Sequence, residues 1–334
     1  MQDVVDELPQ YDDPDLDVGD LGIKAKRWYV EGDERFDDSG RFLDCVLKGI
    51  ETRTPPLLGV PATMDALEQQ TRALAQAVDR RGWRLVSIGW HPYCTGYTAS
   101  PAYNAWELQF REAHTEYAAP DVYMLSYGPD LNLSQPGASD ADAVDLARKL
   151  TFYSPLLVPL SFSSPFQYGR PASMFSVRTY HRTGRRAAAR AFVDPASPLL
   201  MGHQEAPPLI HAARVPAERG RVEFKAFDAL PSQQAYPSLL ALLAGLALDT
   251  NLLGRADVPD AAAHRRAARH AFDGPELAEG AAAVVDAAAR ALAGSPLLDL
   301  LHPVAESVAS RQTPAHAMLE TYELSGGIRL PSVG

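Results

Sequence analysis

The hydrophobic pattern of the chain changes at Tyr236, and this change limits the folds open to it. Before this point, residues 221–228 alternate as a strand does, with Val222, Phe224 and Ala226 on one side. After it, we predict helices over 237–253, 259–272, 275–293, 296–310 and 313–323. Strands followed by helices predict an α+β fold, in which helices pack against a mostly antiparallel sheet.

The first two thirds of the chain mix the two kinds of element. We predict, in chain order, a helix over 65–81, a strand over 84–90, a helix over 139–153 and a strand over 156–162. Asp65 and Glu68 have the spacing of a capping pair, and Ser139 is the expected N-cap of the second helix.

The charge of the chain lies mostly at its start. The 334 residues carry 31 Lys and Arg against 42 Asp and Glu, a net charge of −11. Eight acids and no base fall within residues 1–20, which leaves about −3 for the rest. We therefore expect an acidic flexible tail over 1–20 and a single domain over 21–334, sheet-rich over 21–235 and helical over 236–334.

This composition argues against nucleic acid and membrane as partners. Nucleic-acid phosphates are bound by clustered Lys and Arg, so the net negative charge of this chain argues against nucleic acid as a partner. The longest apolar run, residues 238–248, is shorter than the roughly 20 residues that cross a bilayer. The start has no signal-peptide pattern, so we expect a cytoplasmic protein.

Common catalytic motifs are absent from the sequence. There is no phosphate loop, no dinucleotide-binding glycine motif, no H-E-x-x-H and no G-x-S-x-G. Cys45 and Cys94 are expected to be buried small hydrophobic residues rather than nucleophiles. His264 and His270 fall on different helix faces and are expected to be solvated rather than metal-binding.

One basic segment stands out, over residues 170–193. It carries His181 and six arginines, with no acid: Arg170, Arg178, Arg182, Arg185, Arg186 and Arg190. Guanidinium groups bind phosphate and carboxylate bidentately, so the segment is either an anion site or a solvated basic loop.

Five motifs in this order resemble the glutamate–cysteine ligase superfamily, in its carboxylate–amine ligase branch. The motifs are LGIKAKRWYV (21–30), LKGIETRTPP (47–56), WHPY (90–93), LVPLSFSSPFQYGRPASMFSVR (157–178) and RVEFKAFDALPS (221–232). Their order and spacing agree with the family over residues 21–248. The resemblance implies the fold of the glutamine synthetase catalytic domain, a curved antiparallel sheet forming a funnel flanked by helices.

The resemblance also implies a chemistry. Such ligases join a carboxylate to an amine through an acyl phosphate made from ATP, with Mg²⁺ held by glutamates on the strands. Carried over to this chain, Glu51 and Glu223 are the metal ligands. Arg178 and Lys225 are the catalytic phosphate-binding residues, and Asp228 also matches the family. The expected substrate or nucleotide contacts are Arg170, which would receive a substrate carboxylate, His91, Asn132 and Thr52.

The chain departs from the family at the first strand, where Lys24 and Lys26 stand in place of two glutamates. A lysine ammonium cannot ligate Mg²⁺. The two lysines could replace a metal electrostatically, hold a substrate carboxylate, or form salt bridges with Glu51 and Glu223. A single metal site on Glu51 and Glu223 is the remaining alternative. Lys225 stands where the family has arginine. It keeps the positive charge but lacks the planar guanidinium that binds two oxygens at once.

Three functional hypotheses follow. The chain is a divergent ligase using ATP and Mg²⁺, with activity repurposed or lost through the lysines. Alternatively it is a pseudoenzyme that needs neither, and binds a small anion such as an amino acid or other carboxylate or regulates an active partner enzyme. The third hypothesis is a scaffold that binds no ligand and only a partner protein. A homo-oligomer or a heteromer with an active partner is compatible with the sequence.

Overall fold

The structure is a computed structural model that describes residues 1–9, 27–202 and 204–333. The chain folds into two units. The first unit comprises Met1–Ser87, Gly96–Leu125 and Pro331–Gly334, and the second comprises Ile88–Thr95 and Ser126–Leu330. Lys24 and Lys26 lie outside the described residues. The predicted tail over 1–20 and single domain over 21–334 stay predictions.

The first unit is built on a long antiparallel hairpin. Its elements in chain order are α1 (Gln2–Asp6), β1 (Trp28–Phe36), β2 (Phe42–Thr52), α2 (Val60–Asp79), α3 (Ala105–Ala113) and α4 (Pro120–Leu125). β1 pairs with β2 from Trp28 opposite Thr52 to Phe36 opposite Phe42. A small core joins α1, β1 and α2 through Val4, Trp28 and Leu74.

Two predictions for this part of the chain are corrected. α2 begins at Val60, with Pro61 in its first turn, so Asp65 lies inside the helix and does not cap it. The predicted strand over 84–90 forms only isolated bridges, at Val86 and at Trp90, because no neighbouring segment among the described residues extends a ladder along it. An apolar run of this length therefore packs as extended chain without becoming a strand.

The second unit contains a four-stranded mixed sheet. The elements up to it are β3 (Leu131–Leu133), α5 (Asp140–Leu157), β4 (Phe166–Gln167), β5 (Arg170–Pro171), α6 (Val177–Arg182), β6 (Ala189–Val193), β7 (Ile210–Ala212) and β8 (Arg221–Phe224). The strand order is β3-β8-β6-β7, antiparallel except for the β6–β7 pair. β4 and β5 form a separate antiparallel pair.

The predicted strand over 156–162 is wrong. α5 continues to Leu157, and a 3₁₀ turn follows over Val158–Ser161. This run is mostly apolar and buried, and periodicity alone cannot distinguish a buried strand from a buried helix end. The start of α5 is as predicted, since the Ser139 side chain accepts a hydrogen bond from the Asp142 N–H.

The last third is helical, as predicted. It contains α7 (Tyr236–Leu248), α8 (Ala261–His270), α9 (Pro275–Ala291), α10 (His302–Ser310) and α11 (Pro314–Ser325). The predicted helix over 296–310 is shorter, because a 3₁₀ turn over Asp299–Leu301 precedes α10. The core of the unit joins α5, the sheet and α7–α10. The α+β fold class is confirmed. Within the described ranges, no helix has the length and apolar character needed to cross a membrane.

Candidate functional site

Glu223 lies in the middle of the mixed sheet, on β8. Its register partners are Asn132 on β3 and Arg190 on β6. Val222 and Phe224 on the same strand are buried in the core. Because side chains alternate along a strand, Glu223 and Lys225 are directed to the other face. The sheet thus places Glu223, Lys225 and Asn132, three of the residues named from the sequence, close to one another.

Three cations surround the Glu223 carboxylate. Lys225 Nζ lies 3.3 Å from Oε2, Arg221 Nη1 lies 3.2 Å from Oε1, and Arg190 Nη1 lies 4.0 Å from Oε2. Burial raises the pKa of Glu223, but the attraction of Lys225, Arg221 and Arg190 outweighs it and holds the pKa below its ordinary value. Glu223 is therefore an ionised group whose charge is balanced by the protein itself.

The neighbours of this cluster are also paired. Lys225 Nζ forms a second ion pair, with Asp130. Arg221 Nη1 donates to Asn132 Oδ1 at 2.7 Å, and its Nη2 pairs with Glu218 at 2.9 Å. Asn132, predicted to contact substrate or nucleotide, thus holds an arginine of the protein.

The residues present at Glu223 do not fit a Mg²⁺ ion. Mg²⁺ takes oxygen ligands in near-octahedral geometry, whereas both carboxylate oxygens here face ammonium or guanidinium groups. Across the described part of the chain, no group of three His, Cys, Asp or Glu side chains has a metal-ligand arrangement. The other predicted ligand, Glu51, lies in the first unit opposite Tyr29, and Thr52 lies opposite Trp28. The pairing of Glu51 with Glu223 on one metal stays a prediction.

Arg178, predicted to be catalytic, is directed into the protein. Its Nη1 donates to the Ala226 carbonyl at 2.9 Å, and its Nη2 donates to the Lys225 carbonyl at 3.2 Å. Nη1 also lies 3.7 Å from the Asp228 carboxylate. A Cβ at Gly128 would lie 2.1 Å from Arg178 Nη2, so this position has room for glycine alone. These contacts give Arg178 a structural role at the end of β8.

Asp228 is fully buried beside Arg178. It accepts hydrogen bonds from the Ser164 hydroxyl at 2.6 Å, the Ser176 hydroxyl at 2.9 Å and the Ser163 N–H at 3.2 Å. Burial raises the pKa of Asp228 above its ordinary value, and the Arg178 charge and these hydrogen bonds oppose that rise. The serines of the SFSSP and SMFS stretches thus bind an internal carboxylate.

The remaining predicted contacts are less enclosed. Arg170 is exposed, on the short strand β5. His91 accepts hydrogen bonds at Nδ1 from the Cys94 N–H at 3.0 Å and the Tyr93 N–H at 3.3 Å. Burial lowers the pKa of His91. The expectation that Cys94 is buried is wrong, because the turn after Trp90 presents it to solvent, while Cys45 is half-buried.

Sequence reasoning missed a buried polar network in the first unit. Asp33 accepts hydrogen bonds from the hydroxyls of Tyr97 at 2.8 Å and Tyr103 at 2.7 Å, and pairs with Arg111. Burial raises the pKa of Tyr103, and the Asp33 hydrogen bond raises it further. The arrangement fixes α3 and the segment before it to β1.

A second pair extends this network. Arg35 Nε donates to Glu107 at 2.8 Å, and Glu107 also closes a capping box with Asn104 at the start of α3. Burial raises the pKa of Glu107, but Arg35 and two backbone N–H groups lower it to about 2. The Asn104-x-x-Glu107 spacing is the sequence signal that could have found this pair.

Comparison with known proteins finds similarity over part of the chain. The model of glutamate-cysteine ligase family 2 matches residues 40–189. A protein of Rubrobacter xylanophilus, with the provisional name glutamate–cysteine ligase 2-3, is 31% identical over 133 residues, which are 39% of this chain and 34% of that protein. A glutamate–cysteine ligase of Natronomonas pharaonis is 27% identical over 136 residues, with the same shares.

These matches confirm the resemblance on which the site was predicted. Over residues 40–189 the chain is similar to glutamate-cysteine ligase family 2, and its identity to the two relatives is low. The aligned part spans about a third of the length of each of these curated relatives. The family match covers Glu51, Thr52, His91, Asn132, Arg170 and Arg178, and ends before Glu223 and Lys225.

Proposed function

We propose that the chain is a divergent glutamate–cysteine ligase-like protein whose ligase activity is lost or repurposed, and that it binds a small anionic molecule without Mg²⁺. The observation that carries the proposal is the Glu223 carboxylate, which has Lys225, Arg221 and Arg190 within 4.0 Å. A cation placed there would have to displace these side chains and meet their repulsion.

The distribution of charge in the second unit favours an anion as ligand. Six arginines fall between Arg170 and Arg190 without an acid among them. Arg182 of this segment is buried and has no acidic partner among the described residues, and a buried positive charge is screened little by water. A carboxylate or a phosphate group is the chemistry that guanidinium groups recognise.

The first experiment tests loss of ligase activity. The protein is incubated with ATP, Mg²⁺ and a panel of amino acids and amines, and the release of ADP and phosphate is followed. We expect no release above a protein-free baseline, and no difference from the Glu223→Gln variant. Amino-acid-dependent release of ADP that Glu223→Gln abolishes would contradict the proposal.

The second experiment tests anion binding. Thermal unfolding is followed with added glutamate, succinate, phosphate or sulfate, at matched ionic strength, with and without Mg²⁺. We expect at least one anion to raise the unfolding temperature equally in both conditions. A rise seen only with Mg²⁺ would count against the proposal, as would no rise with any anion.

A working ATP-dependent ligase is the second candidate, because both relatives carry the name glutamate–cysteine ligase. In that case ATP and Mg²⁺ would be required, and Lys225 would contact phosphate only after leaving Asp130 and Glu223. The turnover assay separates the two candidates, since only the ligase consumes ATP when an amino acid is supplied.

A further inference from the structure

Helix α8 carries a basic surface that the ligase motifs do not account for. Arg265, Arg266, Arg269 and His270 lie on this helix, and all four side chains are exposed. Asp260 caps the start of α8, and the helix itself contains no acid. Since successive residues are about 100° apart around a helix, the four side chains fall within an arc of about 140°. We call this surface the α8 basic face.

The opposite side of α8 is buried. His264, Ala267 and Ala268 are enclosed there, because the helix packs on this side against α5 and α6. The expectation that His264 is solvated is therefore wrong. The Ala268 carbonyl accepts hydrogen bonds from the N–H groups of Phe175 at 2.7 Å and Ser176 at 3.2 Å. These contacts fix the rotation of α8 and hold its basic face towards solvent.

The described part of the chain supplies no acidic partner for the arginines of the α8 basic face. Among residues 1–9, 27–202 and 204–333, no Asp or Glu forms an ion pair with Arg265, Arg266 or Arg269. By contrast, Arg148 on α5 pairs with Asp257 at 2.6 Å. Arg265 and Arg269 are four residues apart, a spacing at which like charges on a helix repel each other. An anionic partner would relieve this repulsion.

Arg269 is held in place before any partner binds. Its Nη2 donates to the Tyr180 hydroxyl at 3.0 Å, and its guanidinium carbon lies 5.0 Å from the centre of the Tyr180 ring. A side chain that is already fixed loses less conformational entropy on binding. The other N–H donors of this exposed guanidinium remain suited to a carboxylate, which accepts two parallel hydrogen bonds from it.

The spacing of the arginines matches an extended acidic peptide. Arg265 and Arg269 are about one turn apart, roughly 6 Å along the helix axis. Alternate residues of an extended chain are about 6.6 Å apart and point to the same side. Carboxylates at alternate positions of such a chain would therefore each meet one guanidinium.

We propose that the α8 basic face binds an extended acidic segment of a partner protein. The net charge of −11 opposes nucleic acid, which carries one charge per about 1.7 Å of duplex. Alanine is the only apolar residue type in α8, so the helix offers no large side chain to enter a membrane. This inference goes beyond the proposed binding of a small anion and does not depend on it.

The test is binding of a fluorescently labelled peptide of alternating glutamate and serine to the full chain. Fluorescence anisotropy is followed at about 50 mM salt, where surface charges are only weakly screened. We expect saturable binding to the wild type. The triple variant Arg265→Gln/Arg266→Gln/Arg269→Gln keeps good helix-forming residues and should raise the Kd by about tenfold.

The matched control removes three exposed arginines from other helices, as Arg72→Gln/Arg80→Gln/Arg290→Gln, and so has the same net charge. It should change the Kd by less than about twofold, because these positions are not on the α8 basic face. A peptide with the same composition but with its glutamates in one block should bind more weakly than the alternating peptide.

Three results would overturn the proposal. The first is no binding of the alternating peptide to the wild type, and the second is an equal Kd for the wild type and both triple variants. The third is tighter binding of an oligothymidylate of the same charge, or of phosphatidylserine vesicles, through the same three arginines, which would assign the face to nucleic acid or to a membrane. The response to phosphate or glutamate should be equal in the wild type and the α8 triple variant, so the proposed function is tested separately.

Discussion

Two buried charges of the second unit stand in opposite situations. Glu223 has three cations within 4.0 Å, and its pKa is held below the ordinary value. Arg182 has one carbonyl partner, and its pKa is pushed well below the ordinary value. The difference shows that a buried charge is balanced where the fold brings opposite charges to it. Lys225, Arg221 and Arg190 balance Glu223 on one face of the sheet, whereas Arg182, on the short helix α6, has no acidic partner among the described residues.

The largest effect is expected from the two buried arginines of α6. Arg178→Met leaves Asp228 buried without its cation, so we expect the free energy of unfolding to fall by about 4 kcal/mol. Arg182→Met removes an uncompensated charge and should leave the free energy unchanged or raise it in anion-free buffer. Urea denaturation of both variants measures this contrast. Equal losses in the two variants would show that Arg182 is balanced after all.

Glu223→Gln tests the other side of the comparison. It leaves three cations with a neutral amide, which still accepts a hydrogen bond, so we expect a loss of about 3 kcal/mol. Glu205→Gln is the control, since Glu205 is exposed and should change the free energy by less than about 0.5 kcal/mol. A Glu223→Gln variant as stable as the wild type would mean that the carboxylate is not needed by its neighbours.

The buried His264 makes the free energy of unfolding depend on pH. Its pKa is about 4 in the folded protein, against an ordinary 6.5, through burial and the Arg182 charge, opposed by Asp260. The unfolded chain therefore binds the proton first. The stabilisation is complete above pH 6.5 and is lost as pH falls towards 4, by up to about 3 kcal/mol.

Urea denaturation between these pH values measures the loss, and His264→Gln should flatten it. A pH dependence that His264→Gln leaves unchanged would assign the acid sensitivity to other groups.

The smallest expected effect is a difference in chemical reactivity between the two cysteines, which involves no change in the free energy of unfolding. Burial, together with the nearby acids Glu34 and Asp44, raises the pKa of Cys45 to about 12. Cys94 is exposed. Iodoacetamide at about pH 8 should therefore label Cys94 well before Cys45, as peptide mass spectrometry would detect. Equal labelling rates would contradict the position of Cys45 in the hairpin.

The fold was predictable where the sequence pattern has one physical interpretation. The alanine-rich segment over 275–293 forms α9, and Ser139 caps α5, because helix propensity and capping are local. The runs over 84–90 and 156–162 were not predictable. A short apolar run is compatible with a strand, an extended segment or a buried helix end, and only its neighbours decide.

The sequence indicated where some side chains of the candidate site lie, but it did not indicate which ion pairs they form. The motif around Glu223 and Lys225 predicted that both side chains share one face of β8, because a strand alternates. Arg221 reaches Glu223 along the same face of β8, whereas Arg190 reaches it through the β8–β6 register, which no local pattern reveals. The lack of an acidic partner for Arg182 among the described residues also depends on tertiary structure, so the sequence pattern did not reveal it.

One measurement tests the central contrast most directly. The unfolding temperature of the wild-type protein is followed against added phosphate and, separately, against added Mg²⁺, at one ionic strength and without ATP. We predict that phosphate raises the unfolding temperature and that Mg²⁺ leaves it unchanged, because three cations of the protein already pair with Glu223 and the proposed ligand is an anion. A rise with Mg²⁺ and none with phosphate would contradict the account.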